Sequence, residues 1–277
     1  MMSTRRPPFL PFLSGPALVA PRLSPIRAED WLLPDSEAEI WLGPKRDLMH
    51  KQRDRVFAIA PGLEGDPMET PRRAMQQVAE AVSAHVPHTT GWLTPLETAA
   101  AGVSDDLCVL MRGPDGLWRL VAASVCAPTF WTLNEVIGKP LGAIHQSVPG
   151  GDPELARRIS RVFDGLEDGL VLERFNWTVQ AGEARYTPTS EPLKRLAERT
   201  GAAAASSVLH LRVERQTVRK LGRLDASLIV FTIRVAVDPL APILEETGMK
   251  AAFKSAWDGT EETLAQYKGW ASYDHLV

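Results

Sequence analysis

The stretch Leu107-Cys108-Val109-Leu110-Met111, the tetrad Gly113-Pro114-Asp115-Gly116 and the run from Leu117 to Val125 decide the fold class. The first and third are short apolar runs of strand character, and the tetrad between them is turn chemistry, so they read as an antiparallel hairpin. Working outward, three further strand-like runs lie at about 170–180, 207–215 and 227–237. Strands are therefore expected near 107–112, 117–125, 170–180, 207–215 and 227–237. Between the second and third of these, Asp152-Pro153 opens a helix. Its Leu155, Ile159, Val162, Phe163 and Leu166 recur at the spacing of one buried helical face. A shorter helix is expected near 190–199. The pattern predicts an α+β chain with one mainly antiparallel five-stranded sheet and flanking helices.

Helices grouped between the second and third strands resemble a PAS-like sheet. The flanks are less regular. Residues 36–53 are helical in character but carry Gly43-Pro44, and a proline removes a helical hydrogen bond, so two short helices are expected there. Thr70-Pro71 and Thr94-Pro95 have the form of a cap followed by proline in the first turn. Residues 1–30 read as an extended arm whose aromatic side chains pack on the domain. The segment from Pro239 onward reads as a C-terminal extension of two helices ending near Trp270. No linker or repeat divides the chain, so residues 1–277 are expected to form a single domain.

The balance of 31 Lys+Arg against 34 Asp+Glu gives a net charge of −3. That argues against a general nucleic-acid surface, which needs clustered cations. The basic clusters at Arg157-Arg158 and between Arg212 and Arg223 both have acids close by. Cys108 and Cys126 sit in apolar runs and read as buried thiols in a reducing compartment. Neither belongs to a Cys-x-x-Cys pair, so no zinc or iron–sulfur site is encoded. No run approaches the ~18 apolar residues of a membrane span. Arg5-Arg6 before Phe9-Leu10 faintly resembles a signal peptide, but Pro7, Pro8, Pro11 and Pro16 break the apolar stretch. A cytoplasmic chain is expected. The dinucleotide fingerprint, the P-loop, the Gly-x-Ser-x-Gly elbow and His-Glu-x-x-His are all missing.

Three segments could carry chemistry. In His210-Leu211-Arg212-Val213-Glu214-Arg215-Gln216, side chains alternate, so Leu211 and Val213 face one way and His210, Arg212 and Glu214 the other. The bland reading is a solvated strand face with a same-face ion pair. The sharper one is a pocket wall, where an arginine beside a carboxylate orients a polar substrate or relays a proton. His145 lies alone in a loop rich in glycine and proline, and is either an ordinary hydrogen-bonded histidine or a metal ligand. One axial imidazole is all that a heme requires. Glu173-Arg174-Phe175-Asn176-Trp177 is either an amphipathic strand with a buried tryptophan or the lining of a cofactor pocket.

Several motifs occur together and in order: Pro8-Phe9-Leu10-Pro11-Phe12-Leu13, Trp31, Lys45-Arg46, Asp106-Leu107-Cys108, Trp118 and the stretch from Cys126 to Trp131. Gly138-Lys139-Pro140-Leu141, Ile144-His145-x-x-Val148-Pro149, Asn176-Trp177 and Leu211-Arg212-Val213-Glu214-Arg215-Gln216-Thr217 follow. In these the chain resembles the α-subunit of heme-dependent oxidative N-demethylase along nearly its whole length. Departures are Ser147, where proline is frequent, Ala127, where a larger residue is common, and Lys220-Leu221-Gly222 in place of an Arg-Leu-Pro-like sequence. The resemblance implies a PAS-like domain that binds heme b and acts as an oxidoreductase. The implied reaction is oxidative N-demethylation of a small secondary amine such as dimethylamine with oxygen, releasing formaldehyde. Electrons are then expected from a flavin and iron–sulfur reductase subunit. His145 is implied as the axial ligand of the heme iron, with Arg212 and Glu214 as the catalytic pair: Arg212 steadying oxygen, Glu214 holding the amine or taking its proton. A non-catalytic heme or small-ligand sensor on the same fold is the alternative, and a structural domain without cofactor is a third reading.

Overall fold

The computed structural model describes residues 7–19, 22–61, 69–87, 89–149, 153–222 and 228–277. Arg5, Arg6, Asp152, Arg223 and position 227, all used in the expectations above, lie outside the described residues. Seven strands are present among the described residues: Ser24–Ile26 (β1), Phe57–Ile59 (β2), Asp106–Arg112 (β3), Trp118–Ser124 (β4), Val171–Ala181 (β5), Leu209–Leu221 (β6) and Leu228–Pro239 (β7). They form one sheet in the order β1-β5-β6-β7-β3-β4-β2, and every pairing is antiparallel. The five expected strands are β3 to β7, and they form its continuous centre. The sheet has seven strands rather than five because β1 and β2 each add three residues at an edge, too few for alternation to register. β6 also runs beyond 215 to Leu221, because β7 pairs with it as far as Leu221↔Leu228.

The expected hairpin is β3–β4, closed where Gly113 N–H donates to Leu117 O at 2.8 Å. Gly116 has φ +77°, a left-handed turn position that suits glycine. Register assigns the two faces. On one, Leu211 and Val213 of β6 and Trp177 and Val179 of β5 pack on Ile243, Phe253, Leu264 and Trp270 of the C-terminal segment. Phe12 joins them, its ring 5.5 Å from Phe253 and 6.4 Å from Trp177. On the other face, Cys108, Leu110, Val218 and Ile229 meet Phe163 of the helix Pro153–Gly165. Trp118 crosses Phe163 edge to face at 5.5 Å and donates its indole N–H to Asp164 at 2.9 Å. A fully buried side chain of this size contributes about 1.5–3 kcal/mol, so this helix is held by its apolar stripe.

Three helical expectations need correction. Residues Ala38–Lys51 form one helix that passes through Pro44. An interior proline costs about 3 kcal/mol, but Trp41, Lys45 and Met49 form a buried stripe at i, i+4, i+8. Lys45 Nζ also donates to Val103 O at 2.9 Å and Asp105 O at 2.5 Å. Tertiary anchoring on both sides of Pro44 holds the helix together. Thr70 lies inside the helix Glu69–Ser83 and does not cap it, whereas Thr94 caps Pro95–Ala100, accepting from Glu97 N–H at 3.2 Å. The C-terminal extension contains three helices, Leu240–Glu245, Met249–Asp258 and Glu262–Tyr267, where two were expected. Gly248, at φ +82°, makes the extra break.

Both cysteines are buried and free. Burial pushes the Cys126 thiol up to about 12 and raises that of Cys108 as well, so neither is a nucleophile near neutral pH. Among the described residues no helix is long and apolar enough to cross a membrane.

Candidate functional site

Alternation along β6 turns Arg212, Glu214 and Gln216 toward the face opposite Leu211 and Val213. The solvated-face reading does not hold: Arg212 is 1% exposed and Glu214 6%. Burying these charges is costly unless each is hydrogen-bonded, so their partners define the site.

Arg212 and Glu214 are not directly paired. Arg212 Nε donates to Thr129 Oγ1 at 2.8 Å, and the Thr129 hydroxyl donates to Glu214 Oε1 in a very short bond. The rest of the guanidinium is spent on main chain and Gln180. Nη1 donates to Gln180 Oε1 at 3.1 Å and Ala184 O at 3.3 Å. Nη2 reaches Ala127 O at 2.8 Å, Arg185 O at 3.1 Å and Pro128 O at 3.2 Å. Every N–H of Arg212 thus has a protein acceptor. Burial lowers its pKa to about 10, with Glu214 and Asp106 opposing.

On the far side, Glu214 Oε2 accepts from Gln216 Nε2 at 2.6 Å and Asn176 Nδ2 at 3.2 Å. The Asn176 amide is oriented by Lys268, whose Nζ donates to Asn176 Oδ1 at 2.8 Å and to Trp177 O at 2.9 Å. Burial drops the Lys268 pKa to about 8, with Glu214 opposing. A relay therefore runs Lys268–Asn176–Glu214–Thr129–Arg212, with cations at both ends and one carboxylate in the middle. Polar networks of this kind are stable when each member is satisfied.

The Thr129 loop is itself held. Asp106 accepts from Cys126 N–H at 2.7 Å and Ala127 N–H at 2.9 Å. Burial raises the Asp106 pKa to about 6 despite Lys45 and those two donors. Phe130, adjacent to Thr129, has φ +63°, a left-handed conformation unusual for a large side chain. Its N–H donates to Thr187 O at 2.8 Å. Strain of this kind persists where the surroundings over-determine it.

His145 ends the short helix Leu141–Ile144. Its Nδ1 lies 2.8 Å from Leu141 O, which places the proton on Nδ1 and leaves the Nε2 lone pair free. Burial lowers its pKa, and the charge of Arg174 adds to the effect, so the ring stays neutral at pH 7. A metal ligand needs this state, with its other nitrogen bonded to a carbonyl. The donor set thus fits an axial heme ligand. The Tyr267 pKa responds to both this loop and the relay: partial burial and the Glu214 charge raise it, and Ser147 lowers it. Of the other described histidines, His50 stacks on Trp92 at 4.2 Å, His85 Nε2 meets Arg219 at 3.3 Å and His275 Nε2 meets Thr200 O at 3.3 Å. His210 resembles His145, its Nδ1 lying 2.9 Å from Val208 O. Among the described residues no three His, Cys, Asp or Glu side chains gather as a metal site.

Arg212 and Glu214 are joined within one network, and Arg174, which feels the Glu214 charge, connects it electrostatically to His145. Thr129, Gln180 and Lys268 were not singled out by sequence reasoning. Thr129 lies in the quoted stretch from Cys126 to Trp131, but Lys268 had no local signal, lying 92 residues from Asn176. The third segment divides: Trp177 is buried in the core, while Asn176 and Arg174 face the site.

A family model described as Haem-dependent oxidative N-demethylase, alpha subunit-like matches residues 22–277. No curated protein matches the chain. With the match covering most of its length, the chain belongs to that family. The description denotes an oxidoreductase that depends on heme and, as an alpha subunit, works with other subunits.

Proposed function

We propose, taking that membership as the premise, that the chain is a cytoplasmic heme b oxidoreductase subunit that demethylates a small secondary amine. For dimethylamine, oxygen, two electrons and two protons would give methylamine, formaldehyde and water. A flavin and iron–sulfur reductase subunit would supply the electrons. The PAS-like reading of the sheet rests on its five central antiparallel strands and the helical crossover between the second and third. The observation that carries the proposal is the neutral, Nδ1-anchored His145 near a buried carboxylate relay.

His145 Nε2 would hold the heme iron, with Leu141 O fixing the tautomer. Bound heme would supply the oxygen and electron chemistry that no side chain provides. Glu214, held by Thr129, Asn176 and Gln216, would seat the substrate ammonium or take its proton. Arg212 would act through its charge and through Thr129, keeping Glu214 aimed and favouring negative charge developing nearby. The sensor reading keeps one point in its favour: every Arg212 N–H ends on the protein, leaving none to donate to a ligand.

Absorption spectroscopy of freshly purified protein tests the cofactor, and formaldehyde release from dimethylamine under a chemical reductant tests the reaction. His145→Ala should abolish or shift the Soret band. A native spectrum in His145→Ala, with loss in His210→Ala, would assign the heme to the wrong histidine. Heme without amine-dependent oxygen consumption would leave the sensor.

A further inference from the structure

We infer that Arg174 is the seat of a carboxylate that enters the site on a bound ligand. Register places Arg174 opposite Gln216 on β6, two residues from Asn176 and on the same face. Its Nε is closed off from solvent and has no hydrogen-bond partner among the described residues. The cations around it are provided for. Arg212 ends on Thr129, Gln180 and main-chain oxygens, Lys268 on Asn176 and Trp177 O, and Arg185 on Glu37 at 2.5 Å. Glu214 is the only acid whose charge offsets the burial of Arg174, and its oxygens already accept from Thr129, Asn176 and Gln216. The site therefore holds an excess of positive charge and one guanidinium fork without a partner among the described residues. A buried polar group left unpaired costs stability and calls for a partner from outside the fold. The planar fork of arginine matches a carboxylate in two parallel hydrogen bonds.

Two carriers present this chemistry near His145: a propionate of the heme, and the acid group of a methylated amino acid serving as the amine. The inference rests on the proposed function in both cases, on its heme for the first and on its amine for the second. Wild-type and Arg174→Gln chains, purified without ligand, separate them. The ligand-free variant should unfold at the same or a higher temperature, because the substitution removes a half-buried charge whose Nε lacks a partner among the described residues. In Soret titrations, wild type should prefer ferric protoporphyrin to its dimethyl ester by roughly tenfold, the worth of a charged hydrogen bond. Loss of that preference in the variant assigns the propionate. An unchanged preference, with loss of the N-methylglycine-induced spectral shift but not the dimethylamine one, assigns the substrate acid. A variant that unfolds earlier while porphyrin affinities and both amine responses stay unchanged overturns the inference, since Arg174 is then structural. If wild type binds neither porphyrin, the heme reading fails separately. The inference then also falls unless N-methylglycine raises the unfolding temperature of wild type and not of the variant.

Discussion

Arg234 on β7 and Arg212 on β6 are both buried, at 0% and 1% exposure, yet their acids are placed differently. Arg234 meets Asp105 directly, with Nη2 at 2.6 Å and Nε at 2.9 Å from the same oxygen, and spends its remaining donors on Leu32 O and Pro34 O. Burial pulls its pKa down, but Asp105, Asp35 and Glu37 outweigh that, and it lies above the usual value. Arg212 has only the Thr129 hydroxyl between itself and Glu214, and burial wins, lowering its pKa to about 10. A closed pair neutralises itself and serves the fold. A bridged pair leaves its carboxylate to accept from further neutral donors, Asn176 and Gln216.

The largest effect should come from Asp105→Ala, which strands Arg234. It should cost about 3–5 kcal/mol in urea unfolding, and a loss below about 1 kcal/mol would break the comparison. Glu214→Gln comes next and should act on chemistry: amine turnover should fall by about a hundredfold or more, with heme content unchanged. Full turnover in that variant would make Glu214 as structural as Asp105. Thr129→Val removes the bridging hydroxyl at nearly constant volume. It leaves Arg212 Nε and Glu214 Oε1 each short of a partner, for about 1–3 kcal/mol by chemical denaturation. An unchanged midpoint would mean the bridge carries no energy. The smallest effect is a slope. Burial holds the Lys268 pKa down at about 8 in the folded chain, against an ordinary 10.5. Between these values the unfolded chain holds a proton that the native chain has lost, so stability rises with pH across that window. It falls back as pH drops through about 8. Lys268→Met should flatten this rise in unfolding free energy measured from pH 8 to 10, and an identical slope would place Lys268 outside the relay.

Much of the centre of the molecule was legible along the chain. The apolar runs of β3 and β4 and the turn between them lie next to one another, and the stripe of Pro153–Gly165 repeats within a single helix. Local period and turn chemistry suffice for such elements. Alternation along β6 likewise separated Arg212 and Glu214 from Leu211 and Val213. Pro44 went the other way, because what keeps its helix whole is the contact of Lys45 with Val103 and Asp105, about sixty residues on. β1 and β2 were missed because three residues show no period, and only their neighbours β5 and β4 make them strands.

The sequence by itself determined which residues alternate, which recur at helical spacing, and that Arg212 and Glu214 share a face, because backbone geometry converts spacing into direction over a few residues. Only the tertiary structure decided that Arg212 and Glu214 are buried, that Thr129 stands between them, and that Lys268 completes the relay through Asn176. The same holds for Arg174, whose Nε has no partner among the described residues. Burial and hydrogen-bond partnership depend on what the chain brings back from 85 or 92 residues away, and a buried charge takes its energy from those partners and not from its neighbours in sequence.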